Sequence, residues 1–200
     1  MKKPNYKLMV HLTWITIFLS FFLFSCKVTN RIFEEYDIVY STKRLELKLA
    51  YPIKDSRSPI TYMEQSIVKK ITDNETVYKA YDALILTSLS FRLEDKVFLI
   101  IDNEVFPMVI EGKEDENSRT ITEETADIAT SDSTNISVVT GYSENNRKIT
   151  RFSYQLTDNV IAKMRNADQV LFRYYLGPQM LTITLDDKKL KILKRLIDKT

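Results

Sequence analysis

The chain is poor in the residues on which much enzyme chemistry rests. In 200 residues it has one histidine, one tryptophan and one cysteine. They are His11, Trp14 and Cys26, so none of the three types occurs after position 26. A Ser-His-Asp triad and a Cys-His pair are excluded from the rest of the chain. Zinc loses its usual His and Cys ligands there. No disulfide can staple the fold, which must stand on its core. Glycine is equally scarce, at 112, 141 and 177 only. Neither G-x-G-x-x-G nor G-x-x-x-x-G-K-[ST] occurs, so no glycine-rich loop cradles a phosphate. The sequence assigns no catalytic residue and no metal ligand set. An enzyme built on it would work with carboxylates, Lys, Tyr or Ser alone.

Charge excludes a further class. Every acid lies beyond residue 25, whereas Lys2, Lys3 and Lys7 precede it. Without those lysines the chain has 26 bases against 27 acids, a net charge of −1. Nucleic acid calls for a basic patch or stripe, and nothing of that kind stands out.

What is present begins at the N-terminus. Residues 1–7 are basic, and residues 8–24 are mostly apolar, with Trp14, Ile15, Ile17, Phe18, Leu19 and Phe21 to Phe24. Ser25 is the small residue that a signal peptidase needs before its cut. A spanning helix wants about 20 apolar residues. This run is shorter and contains His11, Thr13, Thr16 and Ser20. Leu23-Phe24-Ser25-Cys26 resembles the lipobox of small bacterial lipoproteins, in which the new N-terminal cysteine is lipidated. That resemblance implies a signal peptide over 1–25, cleavage after Ser25 and a lipid on Cys26. It implies no cofactor other than that lipid. An uncleaved anchor is the alternative; positive charge before the run would orient it to export residues 27–200 as well. After Cys26 come Lys27, Val28, Thr29 and Asn30, with no acid among them. By resemblance to sorting signals this weakly favours the periplasmic face of an outer membrane. The expected location is thus a cell membrane or outer membrane, facing periplasm or exterior.

Residues 26–35 read as a lipidated tether, and 36–200 as one β-rich domain. Tyr36–Tyr40 alternates like a strand, and Leu45, Leu47 and Leu49 alternate with Glu46, Lys48 and Ala50. Pro52 ends that strand, and 55–59 is a polar loop. Residues 60–70 fit a strand or a short helix. Residues 84–91 fit a strand with apolar surroundings on both sides. Val97–Ile101 and Val105–Ile110 make a hairpin across Asp102-Asn103, with Pro107 marking an edge. Residues 112–135 are acidic and polar with few large apolar side chains, which predicts a mobile loop or a long protruding hairpin. Strands follow at 136–140 and 149–156, joined across Gly141–Arg147. A helix begins at Thr157 or Asp158 with Val160, Ile161 and Met164 on its apolar face. Residues 169–175 and 180–185 flank Gly177-Pro178. Asp186-Asp187 opens a last helix, striped by Leu190, Leu193 and Ile197. The fold class is α+β or mainly β: an antiparallel, β-sandwich-like sheet with two helices in the C-terminal part. The order of the second half, with Ile101-Asp102-Asn103, Ala167-Asp168, Phe172-Arg173-Tyr174 and Gly177, is similar to extracytoplasmic β-sandwich domains of small bacterial envelope proteins.

Candidate sites are few. Arg173, Tyr174 and Tyr175 offer a guanidinium and two phenols to a ligand or partner. Ordinary strand packing, with Arg173 turned to solvent or a carboxylate and the tyrosines covering the core, is the favoured reading. Tyr36, Tyr40, Tyr51, Tyr62, Tyr78 and Tyr81 would suit a glycan-binding platform if they shared a face. The acids at 114–116 and 123–124 lack the spacing of an EF-hand loop. The last helix is basic and amphipathic, so it either lies on anionic lipid or packs on the sheet. Together these features lead to a membrane-anchored extracytoplasmic lipoprotein with a non-catalytic binding or assembly role. Its partners would be membrane lipid and an envelope protein or glycan. A carboxylate-based envelope hydrolase is the alternative and needs two acids facing one cleft. An accessory subunit of a larger envelope complex is a third possibility, with 112–135 ordering on its partner.

Overall fold

The computed structural model describes residues 30–88, 90–129 and 135–200. Ser25, Cys26, the apolar run and the first part of the tether lie outside these residues. Among the described residues no helix is long and apolar enough to cross a membrane.

Period-two alternation builds most of the chain. In β2 (Thr42–Pro52), Leu45, Leu47, Leu49 and Tyr51 are buried, while Arg44, Glu46 and Lys48 take the other face. In β3 (Ile60–Ile71), Met63, Gln65 and Ile67 point inward and Glu64 outward. The strand-or-helix ambiguity there resolves to strand because β2 and β4 (Thr76–Leu86) supply a ladder on both sides. β1 (Arg31–Asp37) adds an edge to β2. β8 (Asn135–Leu156) pairs with β4, and β7 (Glu111–Ala129) forms the far edge. The first sheet therefore runs β1-β2-β3-β4-β8-β7, antiparallel throughout.

A second antiparallel sheet runs β10-β9-β5-β6, from β10 (Gln179–Thr184), β9 (Val170–Leu176), β5 (Leu93–Ile101) and β6 (Glu104–Val109). Its hairpin turns follow turn chemistry. Asp102 and Asn103 both take positive φ, as a type I′ turn requires. Gly177 takes φ +58, and a Cβ there would meet Phe91 at 2.8 Å. Both constraints select glycine.

The two sheets face one another across one apolar cluster. Phe152 of β8 packs edge-on against Tyr174 of β9, ring centroids 6.1 Å apart. Two helices complete this layer. α1 (Asp158–Asn166) buries Val160, Ile161 and Met164, and α2 (Asp187–Asp198) buries Leu190, Leu193, Leu196 and Ile197. Asp186 caps α2 by accepting from the Lys189 N–H at 2.9 Å. Thr157 holds the N-cap position of α1 without a side-chain cap bond. The architecture is a mainly β, sandwich-like fold with two helices among the described residues.

Four expectations need correction. Arg31–Glu35 are not tether but part of β1, because their backbone completes the β2 edge. Residues 38–40 are turn, with Val39 and Tyr40 N–H groups donating to the Asp37 carboxylate. β4 ends at Leu86, and only its inward face is buried, while Lys79, Tyr81, Ala83 and Ile85 take the other. Gly141–Arg147 is not a connection: β8 runs through it, and Gly141 pairs with Glu124 beside a bulge. Of the two alternatives for 112–135, the described residues of that stretch take the long hairpin, paired out to Ala129 and Asn135. β4 stops pairing with β8 at Lys148, and beyond that point β7 and β8 pair only with each other. At the usual rise this two-stranded arm extends for about 40 Å.

Candidate functional site

The strand alternation of β9 separates the three residues singled out from its sequence. Tyr174 is wholly buried between the sheets. Arg173 and Tyr175 lie on the opposite, outward face. Arg173 Nε donates to Thr182 Oγ1 at 3.1 Å, and Tyr175 makes an edge contact with Phe98 at 5.6 Å. The trio is therefore not one site. Val105, Val109 and Met180 stand exposed on the same outer face as Arg173 and Tyr175.

Tyr174 belongs instead to a buried polar cluster that the sequence did not reveal. Asp82 of β4 is 2 % exposed. Its Oδ2 accepts from Tyr174 at 2.8 Å and from Tyr154 at 3.0 Å; its Oδ1 accepts from Gln65 Nε2 at 3.0 Å. Burial raises its pKa to about 7, against the lowering effect of those three bonds. Burial, then the charge of Asp82, pushes the hydroxyls of Tyr154 and Tyr174 up as well. The Tyr51 hydroxyl and Gln65 Oε1 are buried without a hydrogen-bond partner. An acid in the inward register of β4, between Ala80 and Leu84, is the signal that could have flagged this cluster. Tyr81 and Ala83 face a shallow hollow of about 370 Å³ at the foot of the arm, but the Asp82 carboxyl points away from it into the core. Glu64 and Glu114 line that hollow with Arg151, which pairs with Glu116.

The other candidates disperse. Tyr51 and Tyr78 are core residues, whereas Tyr36, Tyr40 and Tyr81 are exposed, so the six tyrosines share no platform. The apolar stripe of α2 is buried and is not available to lipid. A buried lysine fixes that helix: Lys69 Nζ donates to the carbonyls of Ile197 at 2.8 Å and Lys199 at 2.7 Å. Among the described residues no three His, Cys, Asp or Glu side chains are grouped to hold a metal ion.

The arm is the most exposed element. Ile121, Ile128, Ile136, Val139 and Tyr142 keep much of their surface in water. Ion pairs cross it, Arg119 to Glu144 at 2.9 Å and Arg151 to Glu116. Near its far end Ile128 sits opposite Ile136, and Ala126 opposite Val138. No protein-family model matches the chain, and neither a curated protein nor a solved structure matches it.

Proposed function

We propose that this chain is a non-catalytic binding or assembly protein of a bacterial cell envelope, anchored through lipid on Cys26 after cleavage behind Ser25. The anchor is supported by the basic, apolar and small-residue pattern that leads into the single cysteine. The binding role is carried by one observation, the β7–β8 arm. An isolated two-stranded ribbon is at best marginally stable in water. This one nevertheless holds Ile128, Ile136 and Val138 far from the core that could have buried them. Such residues are expected where a partner covers them. The partner is an envelope protein with an apolar recess.

Two measurements test this reading. The first is the mass of the protein extracted from bacterial membranes. A diacylglyceryl adduct on a chain starting at Cys26, lost in Cys26→Ala, is expected. An intact Met1 without lipid means a spanning anchor and sinks the lipoprotein. The second places a photo-crosslinker at Ile121 of the arm. Discrete envelope adducts are expected, and they should disappear when Ile128, Ile136 and Val138 are replaced by Ser. An adduct pattern unchanged by those replacements removes the arm from the role.

A further inference from the structure

The two sheets have four edge strands, and three are protected against pairing. β1 carries Arg31, Glu34, Glu35 and Asp37. β7 carries an acid or base at nearly every second position of its first half. In β6, Pro107 occupies a position whose backbone faces away from β5, so the free side lacks that donor. Charge and proline are the usual guards of an exposed edge. β10 has neither: its sequence is Gln-Met-Leu-Thr-Ile-Thr.

The register fixes which groups of β10 are open. Leu176 and Gln179 flank the two-residue turn, and the Leu185 N–H donates to the Val170 carbonyl at 3.0 Å. Residues 181 and 183 therefore face β9, while the N–H and C=O groups of Met180, Thr182 and Thr184 face outward. Among the described residues no strand pairs with that side. Beside it runs a groove of about 430 Å³, walled on its far side by Ile53, Arg57, Ser58 and Pro59 of the β2–β3 loop. Gln179 lines the same groove, and its side-chain oxygen is buried without a partner.

Arg173 states the chemistry of the occupant. Its Nε bond to Thr182 Oγ1 draws the guanidinium over β10, toward the open edge. Among the described residues it makes no ion pair. A carboxylate on the incoming strand opposite Thr182 would meet it. The groove's other lining is mixed: Ile53, Pro59, Met180 and Leu181 are apolar, while Arg57 is already paired with Asp55. We propose that the free edge of β10 is a strand-addition site for an extended peptide segment of a partner protein, apolar in alternation and bearing one carboxylate that Arg173 reads. This site depends neither on the lipid anchor nor on the β7–β8 arm.

The test selects displayed random peptides of about ten residues on the full chain. Thr182→Pro removes a donor only from the open side; Met180→Lys adds a charge guard without touching the backbone. Thermal unfolding confirms that each variant folds, and either suffices. Recovered peptides should alternate β-branched residues with a fixed Asp or Glu. They should protect the amides of Met180, Thr182 and Thr184 from exchange and lose at least tenfold in affinity on either variant. On Arg173→Gln, the preference for the carboxylate peptide over its amide analogue should fall at least fivefold. Peptides that bind the edge variants as tightly as the parent overturn the site, and so does a library that gives no binder. A wild-type dimer that Met180→Lys makes monomeric overturns it too, by showing a second copy at the edge.

Discussion

The hydroxyl of Tyr174 donates to Asp82 Oδ2 at 2.8 Å, so a residue of the second sheet holds a carboxyl that hangs from the first. Tyr154, on the same sheet as Asp82, donates to the same oxygen. The two phenols are thus not equivalent: only one ties layer to layer. Tyr174→Phe should lower unfolding stability by about 1–3 kcal/mol at neutral pH, the usual effect of depriving a buried acceptor. Tyr154→Phe should also destabilise, because Gln65 Nε2 donates to the Tyr154 hydroxyl at 3.3 Å. Urea unfolding of both variants measures this. A Tyr174→Phe protein as stable as the parent would show that the interlayer bond contributes nothing.

Asp82 also gives stability a characteristic pH dependence. Its pKa is about 7 in the folded chain, against an ordinary value of 3.8. Between these values the folded state keeps a proton that the unfolded state has released. The contribution is therefore complete below about pH 4, declines as pH rises toward 7, and is flat above. Asp82→Asn should abolish this decline. Relative to that variant, the parent should lose up to about 4 kcal/mol across the window. Glu34 acts with the opposite sign. Its hydrogen bonds to Lys199, then Lys43, hold its pKa down to about 2, so its contribution is lost as pH falls. Unfolding free energies of parent and variant from pH 4 to 8 separate the two. Parallel curves would refute the assignment to Asp82.

Lys69 gives a third test. Its ammonium is buried against the end of α2, where it donates to two carbonyls and lies 5.4 Å from the Tyr78 ring centroid. Burial lowers its pKa. Lys69→Met keeps the stem but removes both bonds, and should cost about 1.5–3 kcal/mol. The Tyr78 hydroxyl still donates to Ile197, so α2 should loosen rather than detach. Hydrogen exchange at residues 194–198 should quicken more than exchange in β5. Equal exchange in parent and variant would mean that the helix is held by its apolar stripe alone.

Much of this fold was legible because burial writes itself at period two. Leu45, Leu47 and Leu49 announced β2, and Asp102-Asn103 and Gly177-Pro178 announced two hairpins. Asp186 was recognisable as a cap because a helix follows it. The arm was half legible: its acids suggested mobility, but Asp115, Glu116, Asp127 and Glu144 find partners on the other strand. Arg119 and Glu144 are 25 residues apart in sequence yet bonded in space. Gly141 looked like a turn for want of that ladder. At β9 the chemistry of Arg173, Tyr174 and Tyr175 attracted notice before their alternation did, and alternation sends the middle residue inward. Asp82 went unnoticed because an isolated acid in a strand is usually solvated. Its three donors come from β3, β8 and β9 and meet only in the folded chain. The open edge of β10 was equally hidden, since a bare edge and a central strand read alike.

The pairing of β4 with β8 has a temporal meaning. Tyr78 meets Leu156 and Leu86 meets Lys148, so all of β5, β6 and β7 must be spanned before the first sheet can close. Lys69 waits longer still for the carbonyl of Ile197. Contacts of such long sequence separation make folding slow. A ribosome or a translocation channel would deliver nearly the entire chain before its core could form, and a product cut short before β9 would keep only the β5–β6 hairpin of the second layer.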